Sequence, residues 1–122
     1  SYPFEKTYQI SGSTTVRFYN DSSCMEQLCP EMLINLSAGN TNFGVKNLTT
    51  GDEMIFTGLP GSELTIRIDN ENQVITEEVS GYDLYDYFNF GFLRLDPGDN
   101  ELVFTGNGSV TLKGRYLYNV GA

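Results

Sequence analysis

The chain has 122 residues, 7 Lys+Arg against 16 Asp+Glu, a formal charge of −9, no His, no Trp and 2 Cys. The acidic balance argues against a nucleic-acid footprint, which needs clustered Lys and Arg, and against binding an anionic membrane surface. The missing His removes Ser-His-Asp and Cys-His catalysis and any His-ligated metal.

In chain order, Ser1-Tyr2-Pro3 opens without Met, which reads as a processed start or as part of something longer. Short alternating segments follow. Val16 and Phe18 alternate with Thr15 and Arg17; Met32, Ile34 and Leu36 share one face; Met54 and Phe56 alternate with Glu53 and Thr57. Leu64, Ile66 and Ile68 alternate with Glu63, Thr65 and Arg67, and Leu102 and Phe104 with Glu101 and Thr105. Val110, Leu112, Tyr116 and Tyr118 oppose Thr111, Lys113 and Arg115. A period of two buries one strand face and leaves the other in solvent.

Turn chemistry separates these segments at 39–42, 50–52, 59–62, 69–72, 96–99 and 106–109, all rich in Gly, Asn, Asp or Pro. This spacing predicts an all-β, antiparallel, two-sheet β-sandwich of about nine or ten strands, in one domain spanning residues 1–122. The one helical candidate is Tyr82–Phe88. The apolar runs are too short for a transmembrane span or a signal sequence. At 39% hydrophobic and 13% aromatic, the chain is too apolar for disorder.

Gly81 to Phe92 holds six aromatic residues in twelve. Tyr82, Tyr85 and Tyr87 are the candidate binding residues, for protein or for sugar, because tyrosine is rich at interfaces and its ring stacks on sugars. The alternative is that these rings fill the core and cover its edge. Cys24 and Cys29 flank four residues and either stay free or close a disulfide, Cys24–Cys29. Two soft ligands without His fall short of a metal site, so no metal and no cofactor are expected.

Asp69-Asn70-Glu71-Asn72-Gln73 has a superficial likeness to a calcium loop, but Val74 and Ser80 stand where an EF-hand needs Gly and Glu. It reads as a polar hairpin turn, with Asp69, Asp96 and Asp99 open to a weak surface calcium ion. Glu77-Glu78 and Asp83 with Asp86 are the carboxylate pairs a glycosidase would require, and in so acidic a chain they read as solvated faces. No enzyme is expected.

Several of these pieces together resemble a known family. Phe92-Leu93-Arg94-Leu95-Asp96-Pro97-Gly98-Asp99-Asn100-Glu101-Leu102-Val103-Phe104 is similar to an "L-x-PG-x-N-x-ϕ-x-ϕ" signature of tail components from long-tailed bacteriophages. Asn47-Leu48-Thr49-Thr50-Gly51-Asp52 resembles its "N-x-TTG" turn, and Leu64 to Asp69 its "L-x-ID" strand. Cys29-Pro30-Glu31-Met32-Leu33-Ile34 sits where the family shows a Pro before an aliphatic strand, and Arg115-Tyr116-Leu117-Tyr118 closes the match.

The resemblance, over about residues 15–118, is to the C-terminal, galectin-like domain of siphophage distal tail proteins. It implies a galectin-like jelly roll, the C-terminal part of a longer and hexameric tail protein, and an adaptor of the tail-tip baseplate in the host-attachment apparatus. The implied partners are other tail and baseplate proteins, with host surface polysaccharide as the alternative ligand. The implied location is the virion, after synthesis in the bacterial cytoplasm, where thiols stay reduced. In that setting the N-x-S/T triplets at Asn20, Asn35, Asn47 and Asn107 are not glycan acceptors. Galectins proper use Trp and His on sugar, and this chain has neither.

Overall fold

The computed structural model describes residues 2–118, which form seven strands and a single 3₁₀ turn, with no α-helix among them. The strands are β1 (Tyr2–Asn20), β2 (Glu31–Leu36), β3 (Asn42–Asn47), β4 (Glu53–Thr57), β5 (Leu64–Asp69), β6 (Val74–Glu77) and β7 (Gly98–Tyr116). All pairings are antiparallel.

β7 organises the fold. Along its whole length it pairs with β1, from Tyr2 opposite Tyr116 to Asn20 opposite Gly98. Its first half also pairs with β3 and its second half with β2. A strand has two edges and β1 occupies one, so β2 and β3 share the other. From there the sheet branches into β3–β4 and β2–β5–β6.

The even-numbered residues of β1, β2 and β7 meet in register on one face, and this face is the core. Phe18, Met32, Ile34, Leu36, Leu102, Phe104, Val110 and Leu112 are buried there, with Val45, Met54, Phe56, Leu64, Ile66 and Ile68 from the branches. Each such side chain contributes roughly 1.5–3 kcal/mol of burial. The sheet curls tightly around this core. Phe4 and Phe18 lie fourteen residues apart in one strand, yet their ring centroids are 5.0 Å apart.

The all-β, antiparallel part of the expectation is met. The hydrogen bonding joins every strand into one curled sheet, where two separate sheets were expected. Fewer strands are present than expected because the segments around Phe104 and Val110 are halves of one strand. Gly106-Asn107-Gly108 is a bend within β7, not a turn. Gly106 and Gly108 have φ of 138° and 146°, and a Cβ on Gly108 would stand 1.9 Å from the carbonyl oxygen of Asn35. Glycine lets β7 pass close to β2 while it bends. The helical candidate at 82–88 reduces to a 3₁₀ turn over Leu84–Tyr87, capped by the Asp83 carboxylate, which accepts from the Tyr85 N–H at 3.1 Å.

Candidate docking surface

Residues 78–97 leave β6, cross the open side of the curled sheet and return into β7. β4 and β6 end the two branches, so each presents an edge toward this crossing segment. Unpaired edges invite association with other chains and are commonly covered. Here the aromatic segment covers both.

At β6, the Tyr85 hydroxyl donates to the Gln73 carbonyl oxygen at 3.0 Å and accepts from the Ile75 N–H at 2.9 Å. At β4, Asn89 substitutes for a strand. Its side-chain oxygen accepts from the Ile55 N–H at 3.0 Å, its amide donates to the Glu53 carbonyl at 3.0 Å, and its backbone N–H donates to the Ile55 carbonyl at 3.0 Å. Phe88 bridges to Phe56, and the two rings stack with centroids 4.6 Å apart.

Buried amides fasten the returning chain. Asn70 accepts from the Leu93 N–H at 2.8 Å and donates to the Pro30 carbonyl at 2.7 Å. Arg94 is held by Asp52, with Nη2 2.8 Å from Oδ1. Burial alone would raise the Asp52 pKa, and the hydrogen bonds from Arg94 and Thr50 bring it below the ordinary value.

The three predicted tyrosines therefore separate. Tyr82 is exposed, Tyr85 ties the segment to β6, and Tyr87 is half-buried against the core. The most outward ring of the segment is Phe90, which the sequence reading passed over. It is 64% exposed with φ of 60°, a left-handed conformation uncommon for a non-glycine residue. Its ring stacks on Tyr85 at 6.0 Å. Neighbours on both sides hold it there: Asn89 is bonded to β4, and Gly91 is so close that a Cβ would stand 1.9 Å from the Glu53 carbonyl oxygen. The one sequence signal was an aromatic residue between Asn and Gly, a turn pair that would otherwise need no ring.

The remaining candidates lie apart from this segment or serve it structurally. Glu77 accepts from the backbone N–H groups of Thr65, Val79, Ser80 and Gly81 and from the Ser80 hydroxyl. Burial would raise its pKa, and these bonds, Ser80 first, lower it to about 2. Glu78 pairs with Arg67. Asp83 caps the turn, while Asp86 is exposed. Asp69 accepts from Asn72, and Asp96 from Gln27 at 2.7 Å. Among the described residues, no three His, Cys, Asp or Glu side chains converge as metal ligands would.

Cys24 and Cys29 are both free thiols, one half-buried and one exposed. Burial, with help from nearby Glu71, raises the Cys29 pKa. An open cleft of about 900 Å³ holds Cys29 with Phe4, Leu28, Glu71 and Lys113, and it contains none of the three tyrosines. No helix among the described residues is long and apolar enough to cross a membrane.

Comparison with known proteins bears on this surface. A family model described as phage tail C-terminal domain matches residues 1–114. The chain belongs to this phage tail family. It is 35% identical over 121 residues to the SPbeta prophage-derived uncharacterized protein YomH of Bacillus subtilis (strain 168), covering 91% of this chain and 48% of that protein. The chain thus spans about half the length of the curated relative it matches. No solved structure matches. For a phage tail domain the setting is the virion.

Proposed function

We propose that this domain is a structural adaptor in the tail-tip baseplate of a bacteriophage, the C-terminal domain of a longer and hexameric distal tail protein, docking to neighbouring baseplate proteins during host attachment. It carries no reaction and needs no cofactor. Its two branches act as the two layers of a galectin-like sandwich. Its route is synthesis in the bacterial cytoplasm and assembly into the virion.

The observation that carries this reading is Phe90. An exposed phenyl on left-handed backbone costs stability twice, in strain and in solvent contact, and such residues concentrate where a ligand is engaged. Tyr82 lies in the same segment, and between Gly81 and Phe92 the only charged residues are Asp83 and Asp86. The favoured partner surface is an apolar cavity rimmed by Lys or Arg. Tyr85 and Phe88 support the ring, with centroids 6.0 and 5.7 Å from it.

The test is calorimetric titration of the domain with each tail protein encoded beside it in its parent phage. One of them binds the native chain, and Phe90→Asn weakens that binding about tenfold or more while the domain stays folded. Binding to none of them would sink the proposal. The stacked Tyr85–Phe90 pair also suits the apolar face of a sugar ring, so host wall polysaccharide is the second reading. Quenching or protection of Tyr fluorescence by that polysaccharide, lost in Phe90→Asn, would select it.

A further inference from the structure

The edges of β4 and β6 are covered, but the outer edge of β1 is paired with no described strand along its nineteen residues. On β7 the odd-numbered Glu101 and Asn107 turn their carbonyls to Leu48 and Ser37 on the far edge, so the even-numbered residues of β7 and β1 bond each other and by alternation the odd-numbered residues of β1 turn their N–H and C=O groups outward. Ser11 confirms this locally: its N–H and carbonyl are both taken by the Thr14 hydroxyl at the bend, at 3.1 and 3.3 Å. On the two arms either side of the bend, the Tyr19 carbonyl accepts from the Tyr116 hydroxyl at 3.3 Å, and the other outward groups pair with no described strand. Pro3, lacking an N–H, occupies an outward position, as proline does on edge strands.

Charge also distinguishes this edge. β1 and β7 together carry four of the seven basic residues and only three of the sixteen acidic ones. Away from them, Lys46, Arg67 and Arg94 are each paired with an acid. Lys6, Arg17 and Arg115 have no ion-pair partner among the described residues.

We propose that the β1 edge docks against β1 of a second copy of this chain, antiparallel, about a two-fold axis through Ser11. A two-fold needs one strand complementary to itself, and β1 is. In the register centred on Ser11, Glu5 faces the second copy's Arg17, Thr7 faces its Thr15, Gln9 its Ser13 and Pro3 its exposed Tyr19. Within one copy, Glu31 lies beside Lys113, Lys113 beside Glu5 with Nζ to Oε1 of 3.3 Å, and Arg17 beside Glu101. Joining the copies completes a row of alternating sign across five strands: Glu31, Lys113 and Glu5, then the second copy's Arg17 and Glu101. Opposite charges in such a row stabilise pairing and like charges oppose it.

Neighbouring registers lose this match. Shifting by two residues sets Glu5 against Thr15 or Tyr19, and shifting by one turns every side chain to the wrong face. The bend is no obstacle, because the two-fold maps each arm onto the other and keeps the core faces on the same side. The second copy is favoured over a foreign strand because the charge pattern of β1 is its own complement.

Sedimentation velocity on the chain, from about 1 µM to about 1 mM, tests this over the range that separates specific interfaces from negligible ones. A reversible dimer is expected. Glu5→Arg alone, or Arg17→Glu alone, weakens it roughly tenfold or more, and the double reversal recovers most of that loss. Lys6→Glu, on the other face, leaves the dimer in place. Circular dichroism checks folding. If a reversal unfolds the chain, Glu5→Gln and Arg17→Gln take its place, each expected to weaken the dimer several-fold. A monomer throughout, or a dimer indifferent to both Glu5 and Arg17, would overturn the proposal.

Discussion

Asn47 donates its side-chain N–H to the side-chain oxygen of Asn100 at 3.0 Å, and both residues are buried. The bond joins the turn after β3 to the start of β7. Asn47 also donates to the Arg94 carbonyl at 2.9 Å and accepts from the Thr49 N–H at 2.9 Å. Asn100 accepts from the Asp96 N–H at 2.8 Å and donates to the carbonyls of Asp96, Gly98 and Phe18. The Asn-x-Thr-Thr-Gly turn and the Pro-Gly-x-Asn turn, more than forty residues apart in sequence, form one knot. No buried side-chain polar atom lacks a partner among the described residues, so the hydrogen bonds of the knot offset the cost of burying its amides.

Asn100→Ala should therefore be among the most damaging polar-to-alanine changes in the chain. It strands several buried backbone groups, each worth roughly 1–3 kcal/mol when left unpaired. A loss of about 3 kcal/mol in urea unfolding is expected, with Asn47→Ala somewhat milder. A loss under about 0.5 kcal/mol, ordinary for a surface site, would contradict the role given to the knot.

Two glycines should differ although both have positive φ. Gly39→Ala meets open space and costs only the left-handed backbone, about 1–2 kcal/mol. Gly108→Ala drives a methyl into the Asn35 carbonyl and must break the β2–β7 ladder. Thermal unfolding should show a modest shift for the first and little soluble folded protein for the second.

The aromatic segment yields a contrast within one pair of stacked rings. Tyr85→Phe removes the hydroxyl that satisfies the β6 edge and should destabilise by about 1 kcal/mol. Phe90→Asn keeps a residue tolerant of positive φ and should stay within about 0.5 kcal/mol of the native chain. Equal effects of the two changes in chemical denaturation would show that the segment does not divide into a closing side and a presenting side.

Glu77 supplies a pH signature. Its folded pKa is lowered from 4.5 to about 2. A lowered acid pKa means the unfolded chain binds the proton more readily, so stability from this group is complete above about 4.5 and disappears as pH falls through about 2. Glu77 is partly exposed, which makes the effect modest. The gap in stability between the native chain and Glu77→Gln should narrow steadily from pH 5 to pH 2. A constant gap over that range would remove Glu77 as its source.

Much of the fold was legible from period and punctuation. Met32, Ile34 and Leu36, or Leu64, Ile66 and Ile68, alternate as strands must and are buried as expected. The placement of the tyrosines was not legible, because it depends on which strand edges were left open. That Tyr85 closes β6 and Phe90 points outward follows from β4 and β6 ending the two branches, a fact of non-local pairing.

The sequence alone determined the class of structure and its turns, because alternation and the φ preferences of Gly, Asn and Pro act over a few residues. Tertiary structure alone decided that β1 and β7 each run unbroken through a bend, that Asn47 meets Asn100, and that β1 keeps a free edge. Those outcomes rest on contacts between residues distant in the chain, whose registers are chosen by the packing of the whole core.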